Sequence, residues 1–261
     1  MKNLLILSIV CATACAGAPR PSTAPTQCVW PERPERVLVD EGGAELVAWE
    51  LDYDASWERH VLPDSSALAA YRGAIERAGG ALRRPIADPP EIPDERMREV
   101  WRREHRNEEV AFSGGSGEVR EITCWEASMF ARQAERHPPI ESPTEFIAVM
   151  LLKTVDGQRR ARIYFGAGPE TFPPKAVYPF EAARRDVEQG WTMHAMLHNH
   201  TVRRRDGRPA LGVPAPSTQD VALSRALAEE LGLERVLVTN GFYTVDVPAS
   251  ALGEYEVPPP Q

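Results

Sequence analysis

From residue 36 onward, apolar positions recur either every second residue or every third to fourth, and Gly or Pro separates the two patterns. Arg36-Val37-Leu38-Val39 and Glu45 to Leu51 predict two strands around a Gly42-Gly43 turn. Ser65-Ser66 predicts the cap of a helix running to about Arg77 and stopped by Gly79-Gly80. A proline-rich connection, Pro85 to Pro93, follows. Asp94 then starts a charged helix to about Asn107, with Met97, Val100 and Trp101 as its apolar side. Its Arg and Glu residues read as a solvated face. Nothing in residues 28 to 110 proposes chemistry, and His60 and His105 read as surface residues.

The second half is more regular. Glu118 to Thr123 predicts a strand entering a helix at Trp125 to Glu135, which His137-Pro138-Pro139 ends. Phe146 to Leu152 is a continuous apolar run, suited to a strand buried on both faces. Asp156-Gly157 marks a turn, and Arg162 to Phe165 the next strand. Phe180 to Gln189 predicts a helix closed by Gly190, and Ser217 to Leu231 another. Arg235 to Val238 and Phe242 to Val245 are closing strands around Asn240-Gly241. The alternation indicates an α/β or α+β domain with a mixed sheet flanked by helices.

The strand Trp191 to His200 concentrates histidine. Strict alternation puts Trp191, Met193, Ala195 and Leu197 on one face and Thr192, His194, Met196, His198 and His200 on the other. His198 and His200 can then present imidazoles to one ion. Two imidazoles need a third protein group to make a zinc site with one open position. An H-x-H pair by itself does not separate a metal site from ordinary packing. Downstream, Ser217-Thr218-Gln219-Asp220 opens a helix with capping-box spacing. A strand end and the following helix start face one crevice in an α/β layer, which makes Asp220 the candidate third ligand.

Composition narrows the class. The chain has 261 residues and a formal net charge of -8, against a general nucleic-acid binder, which needs a basic face. Met1-Lys2, the apolar run Leu4 to Val10 and the small residues before Cys15 read as a secretory signal, too short to span a bilayer. Small residues directly before a cysteine resemble the bacterial lipoprotein cleavage box. That resemblance implies removal of residues 1–14, Cys11 included, lipidation of Cys15, and an exported protein anchored in the cell envelope, at the outer membrane. Residues 15–27 are a Pro/Ala/Ser/Thr tether. Cys28 and Cys124 remain as an even pair in an oxidising compartment, and a disulfide between them is expected.

His198-Asn199-His200 followed by Ser217-Thr218-Gln219-Asp220 resembles the metal motif of the JAMM, or MPN-type, zinc metalloproteases, H-x-H then S-x-x-D. Glu145, ahead of the apolar strand, is similar to that family's upstream glutamate, with Ala148 where the family has a small glycine. The likeness covers roughly residues 120 to 247. Thr201 stands where the family has proline, and the connection to Pro216 is longer, with Arg203, Arg204, Arg205 and Arg208.

The resemblance implies Zn2+ held by His198, His200 and Asp220, Glu145 as general base and Ser217 as oxyanion donor; His194 is a candidate supporting residue beyond the ligands, with a packed strand histidine as the favoured reading. It implies cleavage of a peptide or isopeptide bond in a peptide or protein substrate. The alternative is a non-catalytic exported binding module on the same fold. The expected organisation is an N-terminal extension over 28–110, the metalloprotease-like domain over 111–250 and a flexible tail over 251–261.

An HNH nuclease does not fit, because its name describes dispersed residues rather than a tripeptide. An amidohydrolase barrel does not fit either, because too few residues follow His200.

Overall fold

The computed structural model describes residues 27–31, 33–79, 92–200, 203–205 and 208–259. The signal segment, Cys15 and the tether up to residue 26 lie outside the described residues, as does most of the Pro85 to Pro93 connection.

The elements run β1 (Arg36–Glu41), β2 (Ala44–Asp52), α1 (Ser66–Arg77), α2 (Glu95–Phe112), β3 (Glu118–Glu121), α3 (Cys124–Arg136), β4 (Phe146–Val155), β5 (Gln158–Ala167), α4 (Phe180–Glu188), β6 (Thr192–Asn199), β7 (Arg203–Arg205), β8 (Arg208–Ala210), α5 (Thr218–Leu231), β9 (Arg235–Thr239) and β10 (Tyr243–Pro248). Local chemistry sets several boundaries. The side chains of Ser65 and Asp94 accept the backbone N–H groups of Leu68 and Met97 and cap α1 and α2. Asp156 and Gly157 both take positive φ, the geometry of a two-residue hairpin turn between β4 and β5.

The fold is mixed α+β. Eight strands form one sheet in the order β1-β2-β5-β4-β6-β9-β10-β3. Strands β6 and β9 run parallel, with α5 in the crossover between them, and the other neighbours are antiparallel. Strand β2 pairs along β5, so the N-terminal extension continues the sheet. On one face, Trp49, Phe146, Met150 and Phe165 pack with Tyr71 of α1 and Phe130 of α3. On the other, Val149, Leu151 and Val238 pack with Ala111 of α2, Ala183 of α4 and Val221 of α5. Helix α2 runs five residues past the expected end, because Val110 and Ala111 bury in this second layer.

Cys28 and Cys124 are disulfide-bonded, with Cα atoms 5.4 Å apart, tying the segment before β1 to the first residue of α3. This bond fits an oxidising, exported environment. Among the described residues, no helix is long and apolar enough to cross a membrane.

Two expectations need correction. Strict alternation fails along β6, because the pairing with β4 jumps from Met150–Ala195 to Leu151–Met193 and leaves His194 as the bulged residue. Trp191 and Met193 therefore share the second layer with Met196, while Ala195 and Leu197 face the first. The tail is not loose over its described length. Ala249–Glu254 forms a 3-10 helix, Leu252 and Tyr255 are buried, and Glu256 exchanges two hydrogen bonds with Asn107 of α2. The contacts that hold it come from distant residues.

Candidate metal centre

The parallel pair β6–β9 directs the end of β6 toward the start of α5. His198 is the penultimate residue of β6, and the N–H of His200 continues the parallel pairing by donating to Thr239 O at 2.9 Å. Asp220 occupies the third position of α5.

These three side chains converge. His198 Nε2 lies 3.2 Å and His200 Nε2 3.3 Å from Asp220 Oδ2, and the two Nε2 atoms are 3.4 Å apart. The donor atoms thus form a nearly equilateral triangle. Metal–ligand bonds of about 2.0–2.1 Å in a tetrahedral zinc site require ligand separations of about 3.3–3.4 Å. The group can hold a metal ion, and its three donors match one face of such a tetrahedron.

The surroundings orient the donors. His200 Nδ1 donates to Val213 O at 2.7 Å, since a carbonyl can only accept, and this turns Nε2 toward the centre. Burial works against charge on His200, but the Asp220 hydrogen bond, the Asp220 charge and the Glu145 charge outweigh it and push the imidazole up to about 9. Burial likewise opposes the Asp220 carboxylate, and His198 and His200 overcome it, holding Asp220 well below the usual carboxylate range.

Ser217 and Asp220 also form a capping box. Ser217 Oγ accepts the Asp220 N–H at 3.1 Å, and Asp220 Oδ2 accepts the Ser217 N–H at 2.7 Å. The capping and ligand readings of the motif are not rivals: one oxygen, Oδ2, serves the helix and faces the histidines. A hydroxyl that accepts one hydrogen bond keeps a proton to donate.

Glu145 directly precedes β4. The β4–β6 register pairs Ile147 with His198, and continuing it by two residues sets Glu145 opposite His200. Its backbone N–H donates to Thr171 O at 2.8 Å, and its charge acts on His200. Glu126, another acid upstream of the H-x-H segment, is fully buried and holds Arg120, the Thr123 N–H and the Thr244 hydroxyl, so it is part of the framework.

His194 is not brought to this centre. His194 is the third residue of β6, four residues before His198, and there Nδ1 meets Glu234 at 2.7 Å and Nε2 meets Glu58 at 3.5 Å. The reading as a packed strand histidine fits this position and a supporting role beside the ligands does not, because four residues of extended strand separate His194 from His198.

Helix α2 does reach the site, against the expectation that residues 28 to 110 carry no chemistry. Glu104 accepts the Thr218 N–H and hydroxyl at the first turn of α5. Glu108, one turn on, has its carboxyl pushed up by burial, with His105 and His200 acting in the opposite direction. His105 stacks on Trp101 and is only partly exposed. The i,i+4 spacing of Glu104 and Glu108 was the available signal, but it was lost among the many other charges of the helix. Asn199, between the two histidines, was also missed as a functional residue, and its side chain holds the start of β4.

No family model matches this chain, and no curated protein or solved structure matches it.

Proposed function

We propose that this chain is a zinc-dependent hydrolase of the JAMM type that cleaves a peptide or isopeptide bond with a metal-activated water. The observation that carries the reading is the triangle of His198 Nε2, His200 Nε2 and Asp220 Oδ2, with sides of 3.2 to 3.4 Å. Two imidazoles and one carboxylate leave room for a fourth, exchangeable position, as catalytic zinc sites require. Zinc bound there supplies a water with its pKa lowered toward about 7 and polarises the substrate carbonyl.

The chain's own groups perform the proton work. Glu145, opposite His200 in the extended register, accepts the proton of the attacking water and returns it to the leaving amine. Ser217 donates a hydrogen bond from its hydroxyl to the carbonyl oxygen as that oxygen gains charge, while its lone pair still accepts the Asp220 N–H. Asp220 stays anionic, and the Val213 carbonyl keeps His200 Nε2 aimed at the centre.

The Cys28–Cys124 disulfide supports export, and lipidation of Cys15 would hold the enzyme at the envelope membrane, the outer membrane in a bacterium with two. Its substrates are then peptides or proteins that meet that surface.

The test is Glu145→Gln in the soluble form beginning at residue 28. The variant is expected to retain zinc and to lose cleavage of a peptide that the wild type selects from a library. An unchanged cleavage rate removes Glu145 from this role.

A further inference from the structure

Helix α5 begins under the grip of two carboxylates from different parts of the chain. Asp220, within the helix, accepts the Ser217 N–H. Glu104, from α2 and 114 positions earlier, takes the next residue with both of its oxygens. Glu104 Oε2 accepts the Thr218 N–H at 3.0 Å and Oε1 accepts it at 3.2 Å, while Oε1 also accepts the Thr218 hydroxyl at 2.7 Å. Thr218 is buried, so these bonds form away from bulk water. The first N–H groups of a helix have no partner within it, and a carboxylate at that end is also favoured by the helix dipole.

The stretch of α2 around Glu104 is anchored through its neighbours. One turn further along α2, the buried Asn107 side chain exchanges hydrogen bonds with the backbone of Glu256, at 3.0 and 2.6 Å. Arg103 reaches Glu256 and the Val257 carbonyl on the same segment. The Glu256–Val257 segment thus locks α2, α2 holds Thr218, and Thr218 lies between Ser217 and Asp220 in sequence.

We infer that Glu104 is a positioning residue for the metal centre: through Thr218 it fixes the first turn of α5, and with it the direction of the Asp220 carboxylate and the Ser217 hydroxyl. The inference rests on the metal-centre reading above and extends it, because it makes the N-terminal extension and the C-terminal segment parts of one ligand-supporting frame. Asp220 contributes one oxygen to both histidines and to its own helix cap. A small rotation of that turn would degrade all three contacts together, so support outside the ligands has an unusually direct effect. Groups that orient metal ligands in this way typically change affinity by about 10- to 100-fold when removed.

The test is metal binding by the disulfide-intact soluble protein, read by chelator competition for zinc and by the visible absorption of Co2+ substituted for it. Glu104→Gln and Thr218→Val are each expected to weaken zinc about 10- to 100-fold and to reduce the intensity of the Co2+ bands. The double variant is expected to be little worse than either single one, because both changes act through the one Glu104–Thr218 contact. Thr218→Ser, which keeps the hydroxyl, is expected to stay near wild type. Urea unfolding of each metal-free variant runs in parallel. Wild-type affinity and spectrum in both Glu104→Gln and Thr218→Val overturn the inference, as does a loss wholly accounted for by the unfolded fraction. Should Glu104→Gln not fold, Thr218→Val and Thr218→Ser decide it. A wild-type chain that binds neither metal refutes the centre itself, a result distinct from failure of the positioning role.

Discussion

Asn199 accepts the backbone N–H of Phe146 through its side-chain oxygen at 2.7 Å, linking the H-x-H segment to the strand that follows Glu145. Its amide nitrogen donates to Thr144 O at 3.1 Å, so the side chain spans the residues on either side of Glu145. Period-two alternation turns Asn199 away from its neighbours: the two histidines reach Asp220 while the asparagine secures the backbone on either side of Glu145. Replacing Asn199 with Ala leaves two buried backbone groups without these partners, at a cost of about 1–3 kcal/mol for each. Urea unfolding is expected to show that loss of stability. A variant as stable as wild type would show that the clamp contributes nothing.

His194 gives the fold a pH dependence separate from the metal centre. Burial lowers the affinity of its ring for a proton, but the hydrogen bonds to Glu58 and Glu234 outweigh that and raise its pKa above the ordinary histidine value, with Arg235 opposing. Glu58 is held well below the usual carboxylate range, first by its hydrogen bond to His194, against burial, and then by Tyr53 and Arg235. A raised histidine stabilises the fold fully below the unfolded value, about 6.5, and this contribution is lost as pH rises through the folded value. The urea midpoint is therefore expected to fall above about pH 6.5 in the wild type, and the fall is expected to be smaller in His194→Gln. Parallel profiles for the two proteins would count against the ion-pair account.

The Cys28–Cys124 bond closes a span of 96 positions, and its removal frees the unfolded chain over that length. Cys28→Ser with Cys124→Ser is expected to cost about 2–5 kcal/mol in unfolding free energy. Thiol titration of the unfolded, unreduced soluble form is expected to find these two cysteines blocked. Two reactive thiols would contradict the bond.

What was legible in the sequence was local. The Ser217–Asp220 box declares itself within four residues, the Asp156-Gly157 turn within two, and the apolar run from Phe146 needs only its own composition. The H-x-H and S-x-x-D spacing likewise identified the residues that the fold brings together. The illegible features depend on partners far away. The bulge at His194 exists only in the pairing of β6 with β4, so no pattern within the strand announces it. Glu104 looks like any other charge on a polar helix until Thr218 arrives 114 positions later. The segment around Glu256 reads as a tail because its anchor is Asn107.

Metal content tests the central claim most directly. The soluble form, purified without chelator, exposed to zinc, freed of excess and measured by elemental analysis, is expected to hold about one zinc per chain, as the three-donor centre requires. His198→Ala and Asp220→Ala are expected to lose it while keeping the Cys28–Cys124 bond. A folded wild type that retains no zinc, or variants that bind zinc as the wild type does, would contradict the account.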